Sequence, residues 1–211
     1  MPERELIRVS TPADEPAIAD LVTGAFGDEH GPVVARLVDA LRASPAWDPA
    51  LSFVTESAPV DARPSPTPAD ARPSQTPADA GPSQLTGYVL LTRNLLDAPR
   101  RLVDVLVLSP LAVRPGHQGH GLGSRLVRHA LAAVEGRPEP LVFLEGSPDY
   151  YLRFGFAPGR DRGFRRPSLR IPELAFMVRP LPGYEPWMTG TLVYAEAFWR
   201  LDGVGLRDPA A

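Results

Sequence analysis

The most informative segment of this chain is Leu111-Ala-Val-Arg-Pro-Gly-His-Gln-Gly-His-Gly-Leu-Gly-Ser124. A long apolar run, Leu102 to Val113, precedes the glycines and predicts a central strand with an irregularity near Pro110. After the glycines, apolar residues recur at helical spacing: Leu122, Leu126, Val127, Ala130, Leu131 and Val134. A strand that passes through such a turn into a helix brings backbone N–H groups to the positive end of the helix dipole. The stretch therefore predicts an anion-binding cradle.

Other interpretations of this glycine-rich turn fit the residues less well. A Walker A loop needs Lys and then Ser or Thr after its second glycine, whereas Leu122 and Gly123 follow Gly121. A dinucleotide-binding fingerprint would use Gly119, Gly121 and Ser124, but its last glycine is missing and no parallel β-α-β repeat surrounds it. Most isolated Gly-x-Gly segments are plain strand-to-helix connections that bind no ligand, and this loop could also be one of them.

Hydrophobic period and turn residues predict the remaining elements. Thr11 and Pro12 begin a first helix, and apolar residues from Val34 to Leu41 predict a second that ends before Pro45. A further helix, which begins at Gly121, is stopped by Gly136. Strands are predicted at 51–56, 85–92, 141–144, 173–179 and 191–194, with a short helix at 148–154. The resulting order is β-α-α-β-β-β-α-β-α-β-β.

A segment of different composition, Ser57 to Gln84, interrupts this pattern. Large apolar residues nearly vanish there, and a nine-residue unit that begins at Ala62 is repeated from Ala71 and started again at Ala80. Such a segment buries too little apolar surface to offset its ordering entropy, and nine residues are too few for a repeat with its own core. We expect a disordered insertion at the tip of a hairpin, where extra length costs little.

Composition narrows the function classes. A length of 211 residues indicates one domain, spanning 1–211 with the insertion at 57–84. The net charge of -3 favours neither nucleic acid nor a membrane as partner. The chain has no cysteine, which excludes disulfides, Cys-ligated metals and thiol nucleophiles. Neither a secretory signal nor a run of ~18 apolar residues is visible, so we expect a cytoplasmic protein.

Two motifs resemble a known family. The segment Val113-Arg-Pro-x-x-Gln118-x-x-Gly121-x-Gly123 is similar to the acetyl-CoA signature Arg/Gln-x-x-Gly-x-Gly/Ala of the GNAT acyltransferases. Downstream, Tyr151-Leu-Arg-Phe-Gly-Phe156 resembles the family's Tyr-x-x-φ-Gly-Phe motif at about the expected distance. Details such as Gly190-Thr-Leu-Val-Tyr194 look most like the branch of predicted acetyltransferases often labelled YhbS-like. The resemblance runs from about Leu6 to Phe198, apart from the insertion.

The resemblance implies a fold and a site for the coenzyme. The fold would be α+β and GNAT-like, with a mixed, mostly antiparallel sheet flanked by helices. Acetyl-CoA would be the co-substrate, bound in a splayed central cleft without any metal. Carried over position by position, the coenzyme-binding residues are Leu111, Ala112, Val113, Gln118, Gly119, His120, Gly121, Leu122, Gly123 and Ser124. The N–H of Val113 is the best candidate to stabilise the oxyanion.

The resemblance also assigns catalytic roles. Tyr151 matches the family tyrosine that protonates the departing thiolate, and a phenol of pKa ~10 suits a thiol of pKa ~8.5. For Tyr150 we favour packing beside the phenylalanines. A general base must take a proton from the amine, since only the neutral amine attacks a thioester. Glu145, Glu56 and Glu29 are the candidates, and we assign the role to Glu145.

These assignments together predict an enzyme. It would be an N-acetyltransferase that passes an acetyl group directly, within a ternary complex, to a primary amine of a small molecule or peptide. The rival interpretation is a non-catalytic acyl-CoA binding or sensing module, which would need the Gln118 to Gly123 loop but neither Tyr151 nor a base. No residue pattern identifies the acceptor or the acyl chain, and a homodimer is compatible with such a sheet.

Overall fold

The computed structural model describes residues 6–56 and 84–205. All of the repeat insertion predicted at 57–84 except Gln84 lies outside the described residues, so its predicted disorder stays a prediction. Within the described residues, no helix is long and apolar enough to cross a membrane.

A mixed sheet of nine strands forms the centre of the described part of the chain. Its strands run β1 to β9 in chain order: Leu6–Val9, Ser52–Glu56, Leu85–Asp97, Leu102–Val113, Leu141–Glu145, Ala157–Pro158, Phe164–Arg165, Phe176–Pro180 and Gly190–Val193. The spatial order is β1-β2-β3-β4-β5-β8-β6, and β9 pairs with both β3 and β7. The β4–β5 and β7–β9 pairs are parallel, while the other pairs are antiparallel. The predicted sheet type and α+β class are confirmed.

The helices are α1 (Glu15–Arg42), α2 (Leu122–Val134), α3 (Pro148–Tyr151) and α4 (Glu196–Arg200). The two predicted N-terminal helices are the two halves of α1, which is broken at Gly27, where φ is 76° and ψ is 174°. Such a backbone conformation is open to glycine at little cost. Two short strands, β6 and β7, and the short helix α4 were not predicted. The strands have two residues each, too few for an alternating pattern, and α4 has less than two turns.

Two apolar clusters cover the two faces of the sheet. Strand residues alternate between them: Val54, Leu90, Val105 and Phe143 join the cluster under α1, whereas Phe53, Val89, Leu106 and Val142 join the one under α2. Successive side chains in a strand point to opposite faces, so one continuous apolar run serves both clusters. The predicted stripe of α2, from Leu122 to Val134, is buried against its face.

Strands β4 and β5 pair briefly and then part. Their register joins Leu106 to Val142 and Val107 to Phe143. Beyond that point β4 remains with β3 as far as Val113, while β5 remains with β8 as far as Glu145. The β3–β4 register shifts between Val89 and Leu91, where the expected irregularity at Pro110 lies. A gap therefore opens in the middle of the sheet, between the C-terminal ends of two parallel strands.

Candidate functional site

The backbone of the last residues of β4 faces the gap. Val113 lies opposite Gly87, and the N–H of the next residue, Arg114, donates to the carbonyl of Thr86 at 2.8 Å. In an antiparallel pair the backbone groups of successive residues point alternately toward and away from the partner strand. The N–H groups of Leu111 and Val113 therefore point away from β3 and toward the gap. Ala112 lies between them, in register with Tyr88, so its backbone groups turn toward β3.

The glycine-rich loop between β4 and α2 needs its glycines for backbone conformation. Gly116, Gly119 and Gly121 have φ values of +90°, +78° and +83°, in the left-handed region that side chains disfavour. A Cβ on any of these three would meet no atom within 4 Å among the described residues, so the space beside the loop is open. The loop is also held at its base, because Nε2 of Gln118 donates to the carbonyl of Val113 at 3.0 Å.

The first turn of α2 completes this cradle. Gly121 is the N-cap residue and has no side chain to cap the helix, so the N–H groups at this end keep their capacity to donate to a ligand. Leu122 is buried in the core and offers the site its backbone alone. A Cβ on Gly123 would lie 2.7 Å from the Tyr150 hydroxyl, so that phenol packs directly on the helix start. The open loop, the N–H groups at the start of α2 and the dipole of that helix together form a site that can bind a phosphate group.

Tyr151 ends α3 and belongs to the apolar cluster under α2. It is 9% exposed, and its ring packs edge-on against Tyr150 at 4.9 Å and Phe156 at 5.8 Å between centroids. A Cβ on Gly146 would overlap the Tyr151 ring, so the glycine after β5 makes room for it. Burial, with a smaller contribution from Tyr150, raises the pKa of the Tyr151 hydroxyl above its usual value. The phenol is therefore fully protonated at neutral pH.

Glu145 ends β5 and is hydrogen-bonded across the cleft. The hydroxyl of Tyr194 donates to its Oε1 at 2.6 Å, and that tyrosine is itself buried. The residue is exposed, yet its carboxylate faces a recess with largely apolar walls. Loss of hydration there raises the pKa of Glu145 above its usual 4.5, and the hydrogen bond from Tyr194 offsets part of the increase. The same burial, together with the nearby carboxylate, raises the pKa of Tyr194.

A cavity of about 160 Å³ surrounds this carboxylate. Val107 and Pro110 of β4 and Glu145 of β5 line it, so it lies where the two strands part. The remaining walls come from the middle of α1 and from the chain around α4 and beyond it. The glycine-rich loop follows the end of β4, and Val107, Ser109 and Pro110 of the same strand line the cavity, so both adjoin the C-terminal part of β4.

The other candidate bases lie outside the cavity lining. Glu56 forms an ion pair with Arg8, which also binds Asp14 at 2.7 Å, so its carboxylate is engaged at the edge of the sheet. Glu29 is exposed near the break in α1. Tyr194 was not predicted as a site residue, because its contact with Glu145 joins positions 49 residues apart. The quoted motif Gly190-Thr-Leu-Val-Tyr194 was the signal that could have found it.

Within the described residues, no group of three or more His, Asp or Glu side chains is placed to hold a metal ion.

Comparison with known proteins identifies relatives. Residues 79–158 match the model of the acetyltransferase (GNAT) domain. The N-acetyltransferase YjhQ of Escherichia coli, itself uncharacterized, is 32% identical over 114 residues, which are 52% of this chain and 62% of YjhQ. The chain therefore spans less than two thirds of the length of that relative.

Two solved structures of GNAT acetyltransferases are similar in fold to nearly the whole chain. The GNAT N-acetyltransferase YhbS of Escherichia coli, in complex with CoA, is 28% identical and superposes with a TM-score of 0.72 over 94% of this chain and 93% of its own. A GNAT acetyltransferase of Brucella melitensis, in complex with acetyl-CoA, is 25% identical, with a TM-score of 0.63 over 93% and 99%.

Proposed function

We propose that this chain is a GNAT acetyltransferase, which binds acetyl-CoA in the cleft and transfers the acetyl group directly to a primary amine. The match of residues 79–158 to the model of that domain supports the proposal. One observation carries the proposal: β4 parts from β5, a cavity that holds a carboxylate lies beside the C-terminal part of β4, and the anion cradle follows the end of that strand. Two relatives with this fold have CoA or acetyl-CoA bound. Their 25–28% identity over most of the chain supports the same co-substrate here.

The coenzyme would lie along the C-terminal half of β4. The pyrophosphate would accept hydrogen bonds from backbone N–H groups between Gln118 and Ser124, at the positive end of α2. The pantetheine arm would pair with the backbone N–H groups of Leu111 and Val113, which point away from β3, as an added strand does. Ala112 would contribute no such hydrogen bond, because its backbone faces β3. The thioester would then lie beside the cavity.

The chemistry is acyl transfer without an enzyme-bound intermediate. The amine nitrogen attacks the thioester carbonyl, a C–N bond forms and the C–S bond breaks. Glu145 takes the proton that the amine loses, and its raised pKa brings it nearer to working as a base at neutral pH. Tyr151 donates a proton, or a hydrogen bond, to the departing thiolate. Its raised pKa makes complete transfer to a thiolate of pKa ~8.5 less favourable than for a free phenol.

A titration of acetyl-CoA into the purified protein tests the binding half of the proposal. We compare wild type with Gly121→Glu, which places a negative charge in the cradle, and with Gly136→Glu as the matched control. Gly136 follows α2 at its far end, and a Cβ there meets no described atom within 4 Å. Micromolar binding by wild type and Gly136→Glu, lost in Gly121→Glu, supports the proposal. Absence of binding by wild type contradicts it.

Turnover separates an enzyme from a non-catalytic acyl-CoA binding module. Thiol release from acetyl-CoA, measured with a panel of primary amines, detects transfer directly. A module would bind acetyl-CoA with the same dependence on Gly121 and release no amine-dependent thiol. Amine-dependent release that falls in Glu145→Gln at unchanged coenzyme affinity supports the enzyme.

A further inference from the structure

We infer that the acceptor is a small molecule in which one primary amine is attached to a single uncharged apolar group. The whole molecule would be about the size of phenethylamine. This inference rests on the proposed function and adds the substrate class. It comes from three properties of the cavity around Glu145: its walls, its charge and its volume.

The walls of the cavity are mostly apolar. Side chains from both sides of the break in α1 and from the C-terminal part of the chain face it, among them Phe26, Val33, Val34, Leu37, Phe198 and Val204. Burying the apolar body of a ligand against such side chains yields about 25 cal/mol per Å². Burial of this kind favours the binding of an aromatic ring or a branched alkyl group, and it does not favour the binding of a polar chain.

The charge of the cavity has one sign. Of the described residues that line it, Glu145 is the only one that carries a full charge, and none is Lys, Arg or His. Tyr194 holds one carboxylate oxygen, at 2.6 Å, and lies buried behind it. A cationic ammonium group is therefore the group that the cavity neutralises, and it would be placed beside the base that must deprotonate it.

The volume limits the apolar body to about one ring. The cavity measures about 160 Å³, and an apolar protein cavity of about 150 Å³ accommodates benzene. An amine with a single ring and a short linker fits this space, with the linker reaching toward the gap where the thioester would lie.

The same three properties exclude other classes of amine. An amino acid would bring its carboxylate next to Glu145 with no cationic side chain in the lining to pair it. A polyamine would place its second ammonium group against the apolar walls. A peptide would bury amide groups where Ser109, Glu145 and Tyr194 are the described side chains with polar atoms in the lining.

The experiment measures binding of amines to protein saturated with CoA, and then their turnover with acetyl-CoA. Phenethylamine is compared with phenylalanine, which adds a carboxylate, with putrescine, which adds a second ammonium, and with 2-phenylethanol, which lacks the charge. We expect phenethylamine to show a kcat/KM at least about 100-fold above that of phenylalanine or putrescine. Its affinity should exceed that of 2-phenylethanol by about tenfold.

Two variants test whether the preference for phenethylamine arises in the cavity. In Glu145→Gln the affinity for phenethylamine should fall to that of 2-phenylethanol, whose own affinity stays unchanged. Glu29→Gln, at an exposed position outside the cavity lining, serves as the matched control and should bind as wild type does.

The outcomes distinguish the two proposals. If acetyl-CoA does not bind, the proposed function fails. If acetyl-CoA binds but phenethylamine does not bind the CoA complex, or phenylalanine or putrescine is the better substrate, the inferred substrate class is wrong while the proposed function stands. Equal affinities for phenethylamine and 2-phenylethanol would also overturn it, because Glu145 would then not recognise the ammonium group.

Discussion

At the residue scale, Glu145 joins two properties that a base needs. It is accessible from the cavity, and its carboxylate is poorly hydrated enough for its pKa to rise above 4.5. The hydrogen bond from Tyr194 acts in the opposite direction, because it stabilises the charged form. The pair thus sets the pH at which the base becomes available.

This balance predicts a pH dependence. With both substrates saturating, kcat of the wild type should rise with pH through an apparent pKa above 4.5, as Glu145 loses its proton. Tyr194→Phe removes the hydrogen bond that lowers this pKa, so the rise should move to higher pH. Glu145→Gln should abolish the rise and lower kcat by about 100-fold. A rise that shifts to lower pH in Tyr194→Phe would contradict the role of that hydrogen bond.

Two adjacent tyrosines allow a test of the general acid. Tyr151→Phe should lower kcat sharply, by about 10- to 100-fold, with the affinity for acetyl-CoA nearly unchanged, because it removes a donor needed when the thiolate leaves. Tyr150→Phe should show the reverse pattern. Its hydroxyl packs on Gly123, so its loss should change coenzyme affinity more than kcat. Unchanged turnover in Tyr151→Phe would remove the general-acid role.

A site residue could be predicted from the sequence when the residues that position it are close to it in the chain. The loop from Gln118 to Ser124 lies within one strand–turn–helix unit, so its position follows from the sequence around it. Tyr194, the residue after β9, reaches Glu145 through pairing of β9 with β3, of β3 with β4 and of β4 with β5. Contacts of that kind depend on sheet order, which period and turn residues leave open.

At the element scale, the break in α1 shapes one wall of the cavity. Phe26 precedes Gly27, and Val33 follows Pro32, so the two halves of the helix present side chains to the same space. Gly31 makes the arrangement possible, because a Cβ there would overlap the backbone carbonyl of Thr23. The two halves therefore meet through a backbone contact that tolerates no side chain.

Two alanine substitutions in α1 should have opposite effects. Gly31→Ala forces the two halves apart and should destabilise the protein by about 1–3 kcal/mol, with a higher KM for the acceptor. Gly24→Ala meets nothing within 4 Å in the described chain, so it should stabilise the protein by about 0.5–1 kcal/mol through the better helix propensity of alanine. Thermal or urea unfolding measures both. If Gly31→Ala is as stable as the wild type, the structure around Gly31 can accommodate the added methyl group without loss of stability.

The bounds of an element were predicted well where its hydrophobic pattern repeats over many residues. The stripe of α2 gave its bounds within a residue or two, whereas the strand expected at 173–179 begins three residues later, at Phe176. Gly136 does not lie in the left-handed conformation expected of a C-cap glycine, and α2 ends at Val134. The backbone of residues 173–175 lies in a turn held by hydrogen bonds from Ala175 and Phe176 to Pro172, a local geometry that apolar spacing does not encode.

At the scale of the whole molecule, the repeat insertion joins two strands that are already paired. Glu56 at the end of β2 lies in register with Leu85 at the start of β3, and Thr55 with Gly87. Glu56 is further fixed by its ion pair with Arg8 of β1. The strands therefore end side by side, so a two-residue turn can replace the segment from Ser57 to Gln84.

We predict that replacing 57–84 with Asn-Gly leaves coenzyme binding intact and keeps or raises thermal stability. Closing a loop of a few residues instead of one nearly thirty long saves about 2 kcal/mol of closure entropy, and the composition of the segment predicts no packed core that would be lost. A variant with the same residues in shuffled order is the control for length, and it should unfold as wild type does. A large fall in melting temperature in the deletion, or in the shuffled variant, would show that the repeat packs on the domain through a specific sequence.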